Sequence, residues 1–349
     1  MKKVLAVFLA LVLCLSVSGA LAADKVGVSM PTESLQRWNQ DGANLKAKLE
    51  AAGFEADLQF ANDTVATQVT QIEGMIAGGC KVLIISAIEA SSLGSVLAEA
   101  KAQGVKVICY DRLILGTDAA DYYVTFDNYK VGTLQGTYIE NVLGLKDGKG
   151  PYNIEFTAGD PGDNNAGFFF NGAFDVLKPY IDSGKLVIPS GQTEFAQVAT
   201  PTWKSDVAQA RFEGILASLY AGGTKLDAVV CSNDSTAFGV EPALEGAGYT
   251  LENWPFITGQ DCDIANTKNM IAGKQSMSVF KDTRDLAAQA VQMALDILAG
   301  KEPQVNDTTT YNNGVKVVPT YQCDPKFADI NNYKELLIDS GYYTEDQLK

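Results

Sequence analysis

The chain of 349 residues carries 27 Lys and Arg against 42 Asp and Glu, six Cys and no His, with 46% hydrophobic and 20% charged residues, a globular composition. Without histidine, the Ser-His-Asp and Cys-His nucleophile systems, His-ligated zinc and imidazole acid–base chemistry are all excluded. A net charge of −15 argues against a nucleic-acid or anionic-lipid partner, which needs a basic face.

The first 22 residues read as a cleavable secretory signal peptide: Lys2 and Lys3 start it, 4–17 is apolar, and Ala20-Leu21-Ala22 is a small-x-small cleavage site. A transmembrane anchor is the lesser reading, because the apolar run is short and leads straight into that site. A lipid anchor on Cys14 is another, with Leu13 bulkier than the small residue that a lipoprotein signal usually has before its cysteine. The mature chain is therefore expected as an exported, soluble, acidic protein, with a length that suggests two domains.

From Lys25 onward, β-branched runs alternate with amphipathic stretches, the pattern of βαβ units. The first series of strands reads 26–30, 56–61, 82–86, 105–111 and 123–127. Helices begin near Ser34, Asp63 and Ser91, each residue suited to cap the first turn. A second series follows at 152–159, 185–190, 227–234, 255–261 and 276–282, with a helix from Ser205 to Tyr220. The tail differs: a helix from about Asp282 to Ala299, a turn at 300–303, a strand at 315–321 and a last helix near Tyr333 to Ser340. This predicts an α/β protein of two doubly wound parallel-sheet lobes joined by a multi-strand hinge. Beyond the signal, Cys80, Cys109, Cys231, Cys262 and Cys323 include no C-x-x-C pair, which excludes a zinc ribbon and a thioredoxin motif. Cys109 and Cys231 fall in apolar runs, where a buried free thiol is the default; one disulfide is compatible with an exported protein, and no pair is assigned.

Parallel strands buried on both faces should be apolar throughout, so polar clusters are informative at their ends. Here they gather at the carboxyl ends: Arg37-Trp38 after the first strand, Asp111-Arg112 after the fourth, and Asp163 to Asn165, Asn233, Asp261 and Lys281 in the second series. Open α/β sheets bind ligands along this edge. Carboxylates that accept, guanidinium and ammonium groups that donate, and Asn side chains that do both suit vicinal hydroxyls, while Trp38 and Trp203 could cover apolar sugar faces. Each residue also has a plainer use. Trp38 and Trp203 can be core, Asp111-Arg112 a local ion pair, Asp163-Asn164-Asn165 a helix cap, and Lys281 and Asp261 solvated surface charges. No nucleophile elbow, phosphate loop or calcium loop is present, and no catalysis, cofactor or metal is required.

The strings RWNQD (37–41), YDRLI (110–114), FDNYKVG (126–132), DNNAGFF (163–169), DAVVCSND (227–234), TGQD (258–261) and FKDTRDLA (280–287) resemble the periplasmic sugar-binding proteins of bacterial ABC importers. The likeness is to the xylose-binding and multiple-monosaccharide-binding branch of their ribose-binding-like fold. It implies a monosaccharide of the xylose, glucose, galactose or arabinose class, held between two closing lobes by Arg37, Trp38, Asp111, Arg112, Asp163, Asn165, Trp203, Asn233, Asp261 and Lys281. It further implies delivery to an inner-membrane ABC permease by a periplasmic monomer that is not an enzyme. A sensor presenting its closed form to a chemoreceptor or sensor kinase is the alternative, and a secreted sugar-acting enzyme a lesser one. The expected lobes are 23–129 plus 281–311 and 130–280 plus 312–349. Cys231, Cys262 and the bulky run Phe168 to Phe170 depart from the branch.

Overall fold

The computed structural model describes residues 24–349; the expected signal peptide lies outside the described residues. Five strands of the first series, Lys25–Met30 (β1), Glu55–Phe60 (β2), Val82–Ile85 (β3), Lys106–Tyr110 (β4) and Tyr122–Phe126 (β5), form one parallel sheet. A sixth strand, Thr320–Cys323 (β11), joins it beside β5, giving the order β2-β1-β3-β4-β5-β11. The helices Gln36–Ala51 (α1), Val65–Ala77 (α2) and Gly94–Ala102 (α3) connect the first four strands. β1, β3, β4 and β5 are buried almost throughout, as sheets covered on both faces require, whereas edge strand β2 is only half-buried.

The second sheet repeats the order with Tyr152–Thr157 (β6), Leu186–Val187 (β7), Ala228–Cys231 (β8) and Phe256–Ile257 (β9), arranged β7-β6-β8-β9. Met277–Phe280 (β10) follows, tied on by the parallel bridge Gln260–Val279 and paired antiparallel with Lys326–Asp329 (β12). Asn128–Val142 (α4), Asn164–Asp182 (α5), Ser205–Ile215 (α6), Asp234–Gly246 (α7) and Ile264–Ile271 (α8) belong to this half. α4 and α5 pack backbone to backbone through glycine: a Cβ on Gly132 would stand 2.0 Å from the Phe169 carbonyl, and one on Gly172 2.2 Å from that of Tyr129. The last long helix, Thr283–Leu298 (α9), packs against α1 and returns to the first sheet. The chain thus passes between the two halves three times, at Phe126–Asn128, Phe280–Thr283 and Cys323–Lys326.

Several expectations need correction. Ser34, Asp63 and Ser91 do not cap α1, α2 and α3, which start behind Leu35, Thr64 and Leu93 without a side-chain cap. Ser34 and Ser91 are engaged in local turns, their N–H groups donating to Thr32 Oγ1 and Glu89 Oε1, and Asp63 has φ 57°. The caps lie instead on α4, α5, α7 and α9, where Asp127, Asp163, Asn233 and Asp282 accept first-turn N–H groups. The tail strand starts at Thr320, after Pro319, which lacks a ladder donor, and β12 was not foreseen. Because β11 pairs with β5, residues 320–323 lie in the first sheet and not with the second lobe, where the sequence reading had placed 312–349. All five described cysteines are unpaired thiols, with only Cys323 partly exposed. Among the described residues no helix is long and apolar enough to cross a membrane.

Candidate binding site

Nine of the ten residues singled out in the sequence line one cleft between the carboxyl edges of the two sheets, the edge where open α/β sheets bind ligands. The first sheet supplies Arg37 and Trp38, in the first turn of α1 after β1, and Asp111 and Arg112, directly after β4. The second supplies Asp163 and Asn233 at the caps of α5 and α7, Trp203 from a short helical turn, and Asp261 beyond β9; Lys281 directly follows β10. Asn165 does not line the cavity. Its Nδ2 donates to the Asp111 carbonyl at 2.7 Å and its Oδ1 accepts from the Tyr123 hydroxyl at 3.2 Å, so it stands behind the wall as a support.

Buried charges are stable only when paired, and Arg37 is paired three times. Its Nη2 donates to Asp111 Oδ1 at 2.7 Å, its Nη1 to Asp261 Oδ1 at 2.9 Å, and its Nε to Asp41, one helical turn on. Asp41 is fully buried and also accepts from the Tyr110 hydroxyl. Lys281 Nζ lies 3.1 Å from Asp261 Oδ1 and 3.8 Å from Asp111 Oδ1. Arg112 Nη1 donates to the Ala87 carbonyl at 3.0 Å, and its Nε stands 3.0 Å from Asp163 Oδ2 without the alignment of a hydrogen bond. Arg37–Asp261 and Arg112–Asp163 therefore join the two walls across the cavity.

The charges set the protonation of the carboxyls. Burial would raise Asp111, but Arg37, Lys281 and Arg112 outweigh it and hold the carboxyl at about 2. For Asp41 burial wins, with Asp111 adding to it against Arg37, and the carboxyl is pushed up to about 6. Burial likewise raises Asp163, with Arg112 opposing.

Three lining residues hold left-handed backbone: Asp111 at φ 60°, Asp261 at φ 99° and Trp203 at φ 57°. Such conformations cost roughly 1–3 kcal/mol each and persist where the surroundings over-determine them. Asp111 shows how: its N–H donates to the Val124 carbonyl, while its own carbonyl accepts from Tyr123, Thr125 and Asn165. Three rings line the space, those of Trp38, Phe169 and Trp203. The guanidinium carbons of Arg112 and Arg37 stand 5.0 and 5.4 Å from the centre of the Trp38 ring. Trp203 meets Phe169 edge-on at 6.2 Å and fits against Gly159, where a Cβ would fall 1.8 Å from its ring.

The surface-charge reading of Lys281 and Asp261 does not survive, since both are buried. The helix-cap reading of Asp163 holds alongside the cavity reading: its Oδ1 takes the Asn165 N–H while its Oδ2 faces Arg112. Of the Phe168–Phe170 run, only Phe169 lines the cavity. Leu35, Ser235, Gln260 and Asp263 line it too, beyond the ten expected residues. The signal for Gln260 and Asp263 was on view, because both flank Asp261 at the same strand end.

The periplasmic binding protein domain family matches residues 26–302. The chain is 50% identical to the multiple sugar-binding periplasmic protein SbpA of Azospirillum brasilense, over 97% of this chain and 96% of that one. It is 38% identical to the D-xylose-binding periplasmic protein of Escherichia coli, over 93% and 92%. The crystal structure of an ABC transporter solute binding protein from Clostridium phytofermentans with bound beta-D-glucose is 61% identical, with a TM-score of 0.91 over 93% of this chain and 100% of that one.

Proposed function

The chain belongs to the family of periplasmic binding protein domains, and we propose that its cleft captures a monosaccharide of the xylose, glucose, galactose or arabinose class for delivery to an ABC importer. The observation that carries this reading is the cavity itself, where guanidinium, ammonium and carboxylate groups converge with two tryptophans at the carboxyl edges of two parallel sheets. A sugar hydroxyl is both donor and acceptor, so a carboxylate on one side and a guanidinium on the other satisfy it with charge-assisted bonds. The glucose-bound relative and the relatives named for multiple sugars and for D-xylose support the class.

In this reading Arg37, Asp111, Arg112, Asp163, Asn233, Asp261 and Lys281 hold hydroxyls, Trp38 and Trp203 cover apolar ring faces, and Asn165 steadies Asp111. The protein is a binding protein, not an enzyme, as its family is. It acts outside the cytoplasm, as relatives named periplasmic do, and as a monomer whose closed form is what the permease recognises. The division of labour follows the sheets: 24–126, 283–311 and β11 move as one lobe, 128–280 and the chain from β12 onward as the other. Sugar favours the closed arrangement by its higher affinity for it. The sensor alternative is not favoured.

Titration of the mature protein, stripped of carried-over sugar by unfolding and refolding, tests this by tryptophan fluorescence and melting. Pentoses and hexoses should raise the melting temperature and disaccharides should not. Silence toward every monosaccharide overturns the proposal.

A further inference from the structure

Four acidic side chains line the cavity, and three are spoken for: Asp111 by Arg37, Asp261 by Arg37 and Lys281, Asp163 by Arg112 and its own helix cap. The fourth, Asp263, is different. It stands immediately before α8, where a carboxylate ordinarily caps free N–H groups, yet it makes no capping bond. Its backbone is fixed, the N–H donating to Asp234 Oδ2 at 2.8 Å and the carbonyl accepting from the Thr267 N–H at 2.7 Å. Its side chain forms no hydrogen bond to any described residue, and Oδ1 is fully buried. On the same wall, Trp203 Nε1 and Gln260 Oε1 are also buried and unpartnered. Buried polar atoms are rarely left so in folded proteins, and three of them on one wall of one cavity match a ligand that donates and accepts in turn.

We propose that Asp263 is a specificity-determining ligand residue, whose free carboxyl holds one hydroxyl of the bound monosaccharide and rejects sugars that lack it. The inference rests on the monosaccharide reading above. Burial and the Asp261 charge, against Arg37 and Lys281, push the Asp263 carboxyl upward, and Asp234 faces it as a further acid. In its protonated form this carboxyl both donates and accepts, which the ionised Asp111 cannot do. A site built on a hydroxyl discriminates strongly against the analogue without it, because the protein's own group is then left buried and unpaired.

The test sets the unaltered protein and Asp263→Ala against D-glucose, D-xylose and the 2-, 3-, 4- and 6-deoxy-D-glucoses by calorimetric titration. The expected result is that Asp263→Ala binds D-glucose about 10- to 100-fold more weakly. One deoxy sugar that the unaltered protein rejects should then bind the variant as well as D-glucose does. Equal weakening toward every sugar, or no weakening, overturns the proposal. Should the alanine variant fail to fold, Asp263→Asn keeps the shape while changing the donor and acceptor pattern: an altered ranking of the deoxy sugars supports the proposal, and an unaltered ranking overturns it. Silence of the unaltered protein toward all six sugars is a separate outcome, which overturns the monosaccharide reading and this inference with it.

Discussion

The two walls of the cavity differ in how far their polar groups are satisfied within the protein. On the first wall Arg37 has three carboxylate partners, Asp111 is locked through both its backbone and its side chain, and of the fully buried side-chain atoms lining the cavity only Arg112 Nε lacks an aligned partner. On the second wall Trp203 Nε1, Gln260 Oε1 and Asp263 Oδ1 all lack one. The difference teaches which half is set in advance and which is completed on binding. Groups fixed by buried ion pairs need no reorganisation when a ligand arrives, whereas unpartnered atoms gain most from it.

The most severe way to break the contrast is Asp111→Ala. It strips a buried partner from Arg37 and Lys281, a loss of roughly 3–5 kcal/mol where a buried pair is broken. Sugar binding should fall by more than about 100-fold in calorimetric titration, with the fold retained by circular dichroism. Unchanged affinity would remove Asp111 from the site.

Asp41→Asn tests the same wall one layer back. Asp41 touches the cavity only through Arg37, so the variant should weaken every sugar by about tenfold without changing their ranking. A changed ranking would mean that Asp41 meets the ligand itself.

Trp203→Phe probes the second wall by keeping an aromatic ring and deleting the unpartnered N–H. Affinity should drop several-fold, beyond the modest fall in ligand-free melting that follows from the smaller ring's looser packing against Phe169 and Gly159. Equal losses in both measurements would assign Trp203 to packing alone.

Glu241→Gln is the control, a buried carboxyl with an unpartnered Oε1 in the second half but outside the cavity. Burial, with Glu245 adding and Lys274 opposing, pushes it up to about 8. An acid raised on folding contributes stability below its unfolded value, near pH 4.5, and loses it as pH climbs through 8. The Gln variant should therefore melt a few degrees higher than the parent at pH 8.5, match it near pH 4, and bind sugar unchanged at both. A binding defect would show that unpartnered atoms in this half are not specific to the ligand wall.

Much of this was legible in the chain because strand ends are where a doubly wound sheet must place its polar residues. Asp111, Asp261 and Lys281 could be found by following apolar runs to where they stop. The supports were harder. Asn165 shares a cluster with Asp163, and only the three-dimensional path shows that its carboxamide is spent on the Asp111 carbonyl. Asp41 was readable in principle, since it lies one helical turn from Arg37 in RWNQD, but spacing cannot reveal that the pair is buried. The tail misled because β11 pairs with β5, a strand nearly two hundred residues earlier, and local periodicity carries no trace of such a partner.

The three passages between the halves carry a mechanical consequence. One passage would act as a swivel and two as a loose gate, but three side by side define a line, about which two stiff bodies have one soft rotation and little sliding or twist. In the proposed closure Arg37 and Asp261, or Arg112 and Asp163, would separate and meet along one arc, so the mouth would close in register with no search among misaligned pairings.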